Sequence, residues 1–97
     1  MTIVNHSSTE IAVDADHLLK ELLADHKSLL IYNDDYNTFD HVITSLVQVC
    51  QHTAIQAEQC ALIIHNTGKC QVKSGGYDDL EPMCTALLDR GLSAVIE

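Results

Sequence analysis

The chain has 97 residues, which is enough for one compact domain and too few for two. Fourteen acidic side chains against five basic ones give a formal net charge of −9 at pH 7. Such a surface repels phosphate backbones and anionic lipids, so we expect no nucleic-acid partner and no membrane partner. The N-terminus carries no recognisable secretory signal, and we expect a cytoplasmic protein.

Residues 1–27 are interpreted as an N-terminal extension and residues 28–97 as the core domain. In the extension, the leucine spacing from Leu18 to Leu23 predicts a short amphipathic helix, for which Asp16 is a candidate cap. Residues 28–32 are mostly apolar and predict a buried strand that ends at the polar residues 33–37.

Two long helices follow that strand in the predicted order. The first runs from Phe39 to Cys50 with apolar residues at helical spacing, and Asn37 or Thr38 supplies its N-cap. The second begins after Thr53, which forms a capping-box pattern with the glutamine three residues later, and it ends near a glycine at position 68.

The remaining elements complete an α+β domain. Residues 69–73 predict a second strand, and a short third helix is expected to begin near Asp79, with Pro82 in its first turn and Gly91 at its end. Alternation in residues 92–96 predicts a last strand. The order β-α-α-β-α-β therefore predicts three helices packed on a small antiparallel three-stranded sheet.

The cysteines and histidines give little support for a metal site. The cysteines are ten or more residues apart without a C-x-x-C pair, and Cys50, Cys60 and Cys84 fall on apolar helix faces, so the pattern favours buried free thiols. No histidine pair has ligand spacing, and no nucleophile–base motif is present. We expect no metal, no cofactor and no enzymatic activity.

A polar cluster, Asn33-Asp34-Asp35, follows the first predicted strand directly. Asn and Asp favour turns and helix caps, so one interpretation is purely structural. Against this, Asn37 and Thr38 already supply a cap, and two adjacent carboxylates repel each other, which favours a cationic ligand. The residues alone leave both interpretations open.

His65 lies at the end of the second predicted helix, where a histidine often does no more than complement the helix dipole. In a β-α-α-β arrangement, however, this helix end returns toward the end of the first strand. His65 then faces Asn33 and Asp34 across a groove with an apolar floor. Amide oxygen, carboxylate and neutral imidazole are all hydrogen-bond acceptors, so the groove suits an ammonium group attached to a hydrophobic side chain.

Residues 30–43, Leu-Ile-Tyr-Asn-Asp-Asp-Tyr-Asn-Thr-Phe-Asp-His-Val-Ile, resemble the V-x-N-D-D-Y-T-P-x-x-[FY]-V signature of the ClpS adaptor family. Residues 65–69, His-Asn-Thr-Gly-Lys, are similar to the H-x-x-G-K motif of that family. The resemblance covers about residues 28–97. It implies an adaptor that binds bacterial N-degrons, proteins whose first residue is Leu, Phe, Tyr or Trp, and delivers them to the N-terminal domain of a Clp AAA+ unfoldase without hydrolysing them.

The resemblance also implies roles for individual residues. Asn33, Asp34 and His65 would bind the substrate α-amine, with Asp35 and Asn37 in supporting positions. The side-chain pocket would be lined by six residues: Ile31, Phe39, Val42, Ala61, Ile64 and Leu92.

Some positions depart from the family pattern. Asn37-Thr38 replaces Thr-Pro, and Phe39 and Ala61 stand where Met is common, which leaves the choice among Leu, Phe, Tyr and Trp open. The alternative is an interaction domain of the same α+β class, like the C-terminal domain of the ribosomal stalk protein, which would not depend on a free α-amine. An enzyme or metal protein that uses His65 is a weaker third reading.

Overall fold

The computed structural model describes residues 15–19 and 26–97. Residues 15–19 are helical and exposed, so the amphipathic helix predicted up to Leu23 is only partly within the described chain. The rest of the predicted N-terminal extension lies outside the described residues, and the division at residue 28 stays a prediction. Across the two described ranges, no helix combines the length and apolar character needed to cross a bilayer.

Three strands form one antiparallel sheet: β1 (Lys27–Tyr32), β2 (Lys69–Gly75) and β3 (Ser93–Ile96). The strand order is β2-β1-β3, so β1 is central and pairs with both neighbours. Side chains alternate between the two faces of a strand, and those of Leu29 and Ile31 are almost fully buried. The central position of β1 explains why its sequence is the most apolar of the three.

The first helix after β1, α1 (Phe39–Cys50), has the predicted bounds. Thr38 is its N-cap, because the Thr38 hydroxyl accepts a hydrogen bond from the backbone N–H of His41 at 3.1 Å. Asp40 lies in the first turn, where a negative charge complements the helix dipole. Asn37, the other predicted candidate, is therefore not the N-cap of this helix.

The second helix, α2 (Ala54–Thr67), has both features that its sequence predicts. Thr53 and Gln56 form the reciprocal capping box, in which each side chain accepts from the backbone N–H of the other residue. At the other end, Gly68 adopts a left-handed conformation with φ of 99°, which glycine reaches without steric cost.

The third helix, α3 (Tyr77–Asp89), begins two residues earlier than predicted and is 13 residues long, so the expectation of a short helix was wrong. Gly76 is the N-cap, and its carbonyl accepts from the N–H groups of Asp79 and Leu80. Pro82 is consequently five residues after the first helical residue, in the second turn rather than the first. With a start at Asp79, the proline would lie in the first turn, where its missing N–H costs least. The helix instead begins at Tyr77, before the predicted start.

The core lies between the helices and one face of the sheet. The apolar stripes predicted for the helices supply most of it. Its buried residues are Leu29, Ile31, Leu46, Cys50, Ala57, Ile64, Val72, Leu80, Cys84, Leu87, Leu92 and Ala94.

The four cysteines, all within the described chain, are free thiols, as expected. Cys50 and Cys84 are buried, which agrees with their predicted places on apolar helix faces. Cys60 was expected to be buried too, but it is only half-buried, and so is Cys70 on β2.

A buried histidine links the loop between α1 and α2 to an irregularity in β2. The β1–β2 register passes from Leu29↔Lys73 to Leu30↔Gln71, which leaves Val72 as the extra residue of a bulge. The ring Nε2 of His52 lies 2.7 Å from the Val72 carbonyl oxygen. Because a carbonyl only accepts, Nε2 carries the hydrogen, and Nδ1 has no partner among the described residues.

Replacing this histidine tests its contribution to stability. His52→Ala leaves the Val72 carbonyl without its donor and opens space in the core, so the free energy of unfolding should fall by about 1–3 kcal/mol. Urea denaturation followed by circular dichroism measures the loss. His65→Ala is the control: His65 is exposed at the end of α2, and its removal should cost less than about 1 kcal/mol. Equal losses would contradict a structural role for the His52–Val72 hydrogen bond.

Candidate functional site

The end of β1 and the end of α2 meet at one edge of the sheet. The backbone N–H of Asn33 donates to the carbonyl of Gly68 at 2.8 Å, directly beyond the Tyr32↔Lys69 pair of the β1–β2 ladder. His65 is three residues before Gly68. This hydrogen bond therefore holds the polar loop after β1 beside the last turn of α2.

Between these two segments lies a cleft of about 330 Å³. Nine of the eleven site residues named from the sequence line it: Asn33, Asp34, Asp35, Asn37, Phe39, Val42, Ala61, Ile64 and His65. The other two, Ile31 and Leu92, do not. They line a separate cavity of about 20 Å³ that shares Asn33, Asp34, Asn37, Val42 and Ile64 with the larger cleft.

The carboxylate of Asp34 is fully engaged by neighbouring donors. Its Oδ1 accepts from the backbone N–H groups of Tyr36 and Asn37, each at 2.9 Å. Its Oδ2 accepts from Asn37 Nδ2 at 2.7 Å and from Ser93 Oγ at 3.2 Å. A carboxylate has about four lone-pair positions, and these four hydrogen bonds use them.

The same contacts shift the acidity of Asp34. Partial burial acts to raise its pKa, but the hydrogen bonds from Asn37, Tyr36 and Ser93 together bring the pKa below its ordinary value. Asp34 is therefore held as an anion, and its oxygens accept from donors of the loop and from Ser93.

Asn37 and Ser93 connect the loop to the other end of the chain. Besides donating to Asp34, the Asn37 amide nitrogen donates to the carbonyl of Gly91 at 2.9 Å. His41 adds a third link, because its Nε2 lies 2.9 Å from the Arg90 carbonyl oxygen. Sequence reasoning missed Ser93 and the Gly91 carbonyl. No local signal marks them, since both lie more than fifty residues from their partners.

Three other polar side chains in the cleft have no such partners. Asn33, Asp35 and His65 are exposed, and none of their side chains makes a hydrogen bond to another residue of the described chain. One amide oxygen, one carboxylate and one imidazole nitrogen are thus available at the rim. Within the described ranges no lysine or arginine lines the cleft, so the carboxylates there give its rim a negative potential.

The opposite side of the cleft is apolar. Ala61 and Ile64 are buried and lie on the core-facing stripe of α2. Val42 is half-buried, and Phe39, the first residue of α1, is 39% exposed. In residues 15–19 and 26–97, no group of three His, Cys, Asp or Glu side chains could hold a metal ion.

Together, the fold and the cleft define a small α+β domain with a surface site that pairs hydrogen-bond acceptors with an apolar wall. Residues 24–95 match the family described as ATP-dependent Clp protease adaptor protein ClpS. The chain belongs to the ClpS family, as the two sequence motifs indicated.

Individual relatives agree with this assignment. Over 40 residues the chain is 42% identical to the ATP-dependent Clp protease adapter protein ClpS from two strains of Nitratidesulfovibrio vulgaris, DP4 and Hildenborough. That match covers 41% of this chain and 38% of each relative's length. Among solved structures, Agrobacterium tumefaciens ClpS2 bound to L-phenylalaninamide is similar with a TM-score of 0.72 and 20% identity, over 75% of this chain and 95% of that one. This likeness confirms the predicted α+β fold.

The hydrogen bonds of Asp34 predict a specific acid sensitivity. Since its pKa is lowered on folding, Asp34 stabilises the fold above the unfolded value of about 3.9, and this contribution is lost as the pH falls through the lower folded pKa. Asp34→Asn should lower the free energy of unfolding at pH 7 by about 1–2 kcal/mol, because an amide cannot accept all four bonds. Urea unfolding between neutral and strongly acidic pH should show a steeper loss for the unmodified protein than for the variant.

Asp35→Asn is the matched control for that measurement. It removes the same charge at the next residue, but no described donor contacts Asp35, so stability at neutral pH should change by less than about 0.5 kcal/mol. If both variants lose the same stability, the organising role of Asp34 is contradicted.

Proposed function

We propose that this chain is a non-enzymatic adaptor that binds the N-terminal residue of N-degron substrates and delivers them to a Clp AAA+ unfoldase. The observation that carries the proposal is the cleft, in which exposed acceptors without partners among the described residues stand beside an apolar wall. An N-terminal hydrophobic residue has the complementary chemistry, with a charged α-amine joined to an apolar side chain. Membership of the ClpS family supports the same function.

Within the rim, the amine is bound by Asn33, Asp35 and His65 in this proposal. The sequence-based assignment gave direct contact to Asp34 and a supporting position to Asp35. The hydrogen bonds favour direct contact by Asp35 and a supporting role for Asp34. Four donors already bind the Asp34 carboxylate, whereas no donor of the described chain binds that of Asp35. Asp34 acts as the organiser of the loop and adds a second negative charge near the amine.

The side chain of the N-terminal residue occupies the apolar part of the cleft. This part is lined by Val42, Ala61, Ile64 and Phe39, of which Phe39 is the most exposed. The volume is suited to a large side chain, as in Leu, Phe, Tyr or Trp. Agrobacterium tumefaciens ClpS2 was solved with L-phenylalaninamide, a ligand that combines a free α-amine with an aromatic side chain, and this supports the same type of ligand here.

For delivery, the proposed second binding partner is the N-terminal domain of the unfoldase. Support for it comes from the family description, which names the Clp protease as the system these adaptors serve. The same description calls the family an adaptor of the protease, which supports a non-enzymatic role.

Acetylation of a peptide ligand tests the amine requirement. A short peptide that begins with Leu or Phe should bind, and its N-acetylated form should bind at least roughly tenfold more weakly, because a charge-assisted hydrogen bond contributes about 1.5–3 kcal/mol. Isothermal titration calorimetry measures both affinities. Equal binding of the two peptides would favour the rival interaction domain, and binding of neither would refute the adaptor proposal.

A second binding measurement separates the contribution of the Asp35 carboxylate from general charge effects. Asp35→Asn should weaken binding of the free-amine peptide by roughly tenfold or more, since it replaces the only unpaired carboxylate at the rim. Asp40→Asn is the control, because it removes the same charge in the first turn of α1 and does not line the cleft. A similar loss in both variants would show that net charge, rather than Asp35 itself, attracts the amine.

A further inference from the structure

Two cysteines face each other between α2 and β2. On α2, Cys60 is three residues after Ala57 and four before Ile64, both of which are buried, so it lies at the border of the inward stripe. On β2, Cys70 pairs directly with Ile31 of β1, which is 1% exposed. Directly paired residues point to the same face of a sheet, so Cys70 points toward the helices.

The two side chains are neighbours in the packing between α2 and β2. Both lie against the same core cluster, and α2 and β2 lie against each other. The Cys70 thiol itself donates a hydrogen bond to the Gln71 carbonyl at 3.4 Å. Cys60 and Cys70 are each half-buried, whereas the side chain of Cys50 is fully buried. A small reagent can therefore reach the pair but not the neighbouring thiol.

We infer that Cys60 and Cys70 are an oxidisable pair that closes to a disulfide by exchange with a low-molecular-weight disulfide, joining α2 to β2. In the first step the Cys60 thiolate attacks one sulfur of the reagent, whose S–S bond breaks and releases one thiol. The Cys70 thiol then loses its proton, attacks the Cys60 sulfur and releases the second reagent thiol. Two protein thiols are oxidised, and one reagent disulfide is reduced to two thiols.

The order of attack follows from the environment of Cys70. Burial and the neighbouring Cys60 side chain raise the pKa of Cys70 to about 11, which leaves little thiolate at neutral pH. Cys70 is therefore a poor first nucleophile, but it reacts once a mixed disulfide on Cys60 is held beside it.

The bond would close a ring that contains part of the cleft. Residues 60–70 include Ala61, Ile64 and His65, and also Gly68, whose carbonyl anchors Asn33. The disulfide would thus restrain the segment that positions one side of the site. The exchange chemistry itself does not depend on what the cleft binds.

The test treats the folded, reduced protein with excess oxidised glutathione and analyses it without reduction. The expected product is lighter than the starting protein by two hydrogen atoms and returns to the starting mass with dithiothreitol. Cleavage after Lys27, Lys69 and Lys73 places Cys70 in a different peptide from Cys60, so the linked pair appears as two peptides joined by one bond. Fragmentation of the longer peptide distinguishes Cys60 from Cys50.

Single variants make the assignment decisive. Cys70→Ser should stop at a glutathione adduct on residue 60, since the second thiol is missing, and Cys60→Ser should give no internal disulfide. Cys84→Ser, a buried cysteine on α3, should form the bond as the unmodified protein does. Stable glutathione adducts in the unmodified protein, or a bond that involves Cys50 or Cys84, would overturn the inference.

Discussion

The saturated carboxylate of Asp34 is the interaction on which the site depends. Its four hydrogen bonds come from the loop after β1 and from Ser93 at the start of β3. Asn37 extends the network to the turn that follows α3. One anion thereby fixes a loop that has no regular structure of its own against a strand from the far end of the chain. The exposed acceptors beside it hold their positions because this loop is fixed.

This arrangement divides two tasks between adjacent acids. A carboxylate whose lone pairs all accept hydrogen bonds from the protein fixes the loop but cannot form further strong hydrogen bonds to a ligand. A carboxylate without protein partners can form them. Asp34 and Asp35 stand next to each other in sequence and have identical chemistry, yet their surroundings differ in this respect. The negative charge of both still favours an ammonium ligand over an anion or a neutral group.

Much of the fold follows from local sequence, and the structure confirms it where local signals are strong. The capping box at Thr53, the glycine at position 68 and the apolar stripe of α1 each specify an element within a few residues. The start of α3 was predicted wrongly because Pro82 was taken as a first-turn marker, although the Gly76 cap begins the helix earlier.

The details of the site were less predictable. The donor from Ser93 to Asp34 spans 59 residues and depends on strand order, which no motif encodes. The same is true of the neighbouring positions of Cys60 and Cys70, which depend on the rotation of α2 about its axis and on the register of β2. Sequence spacing predicted which residues lie at this edge of the sheet. Their individual roles could be inferred only from the hydrogen bonds in the structure.

The cleft is also continuous with the core. Ile64 belongs to the buried core cluster and at the same time lines the cleft, and Ala61 beside it is 3% exposed. An apolar side chain that enters from outside would therefore extend the core, at about 25 cal/mol for each Å² of apolar surface removed from water. That contribution is nondirectional and accepts several large side chains. The unpaired acceptors at the rim are directional, so in the proposed function they restrict this apolar contact to chains that begin with a free amine.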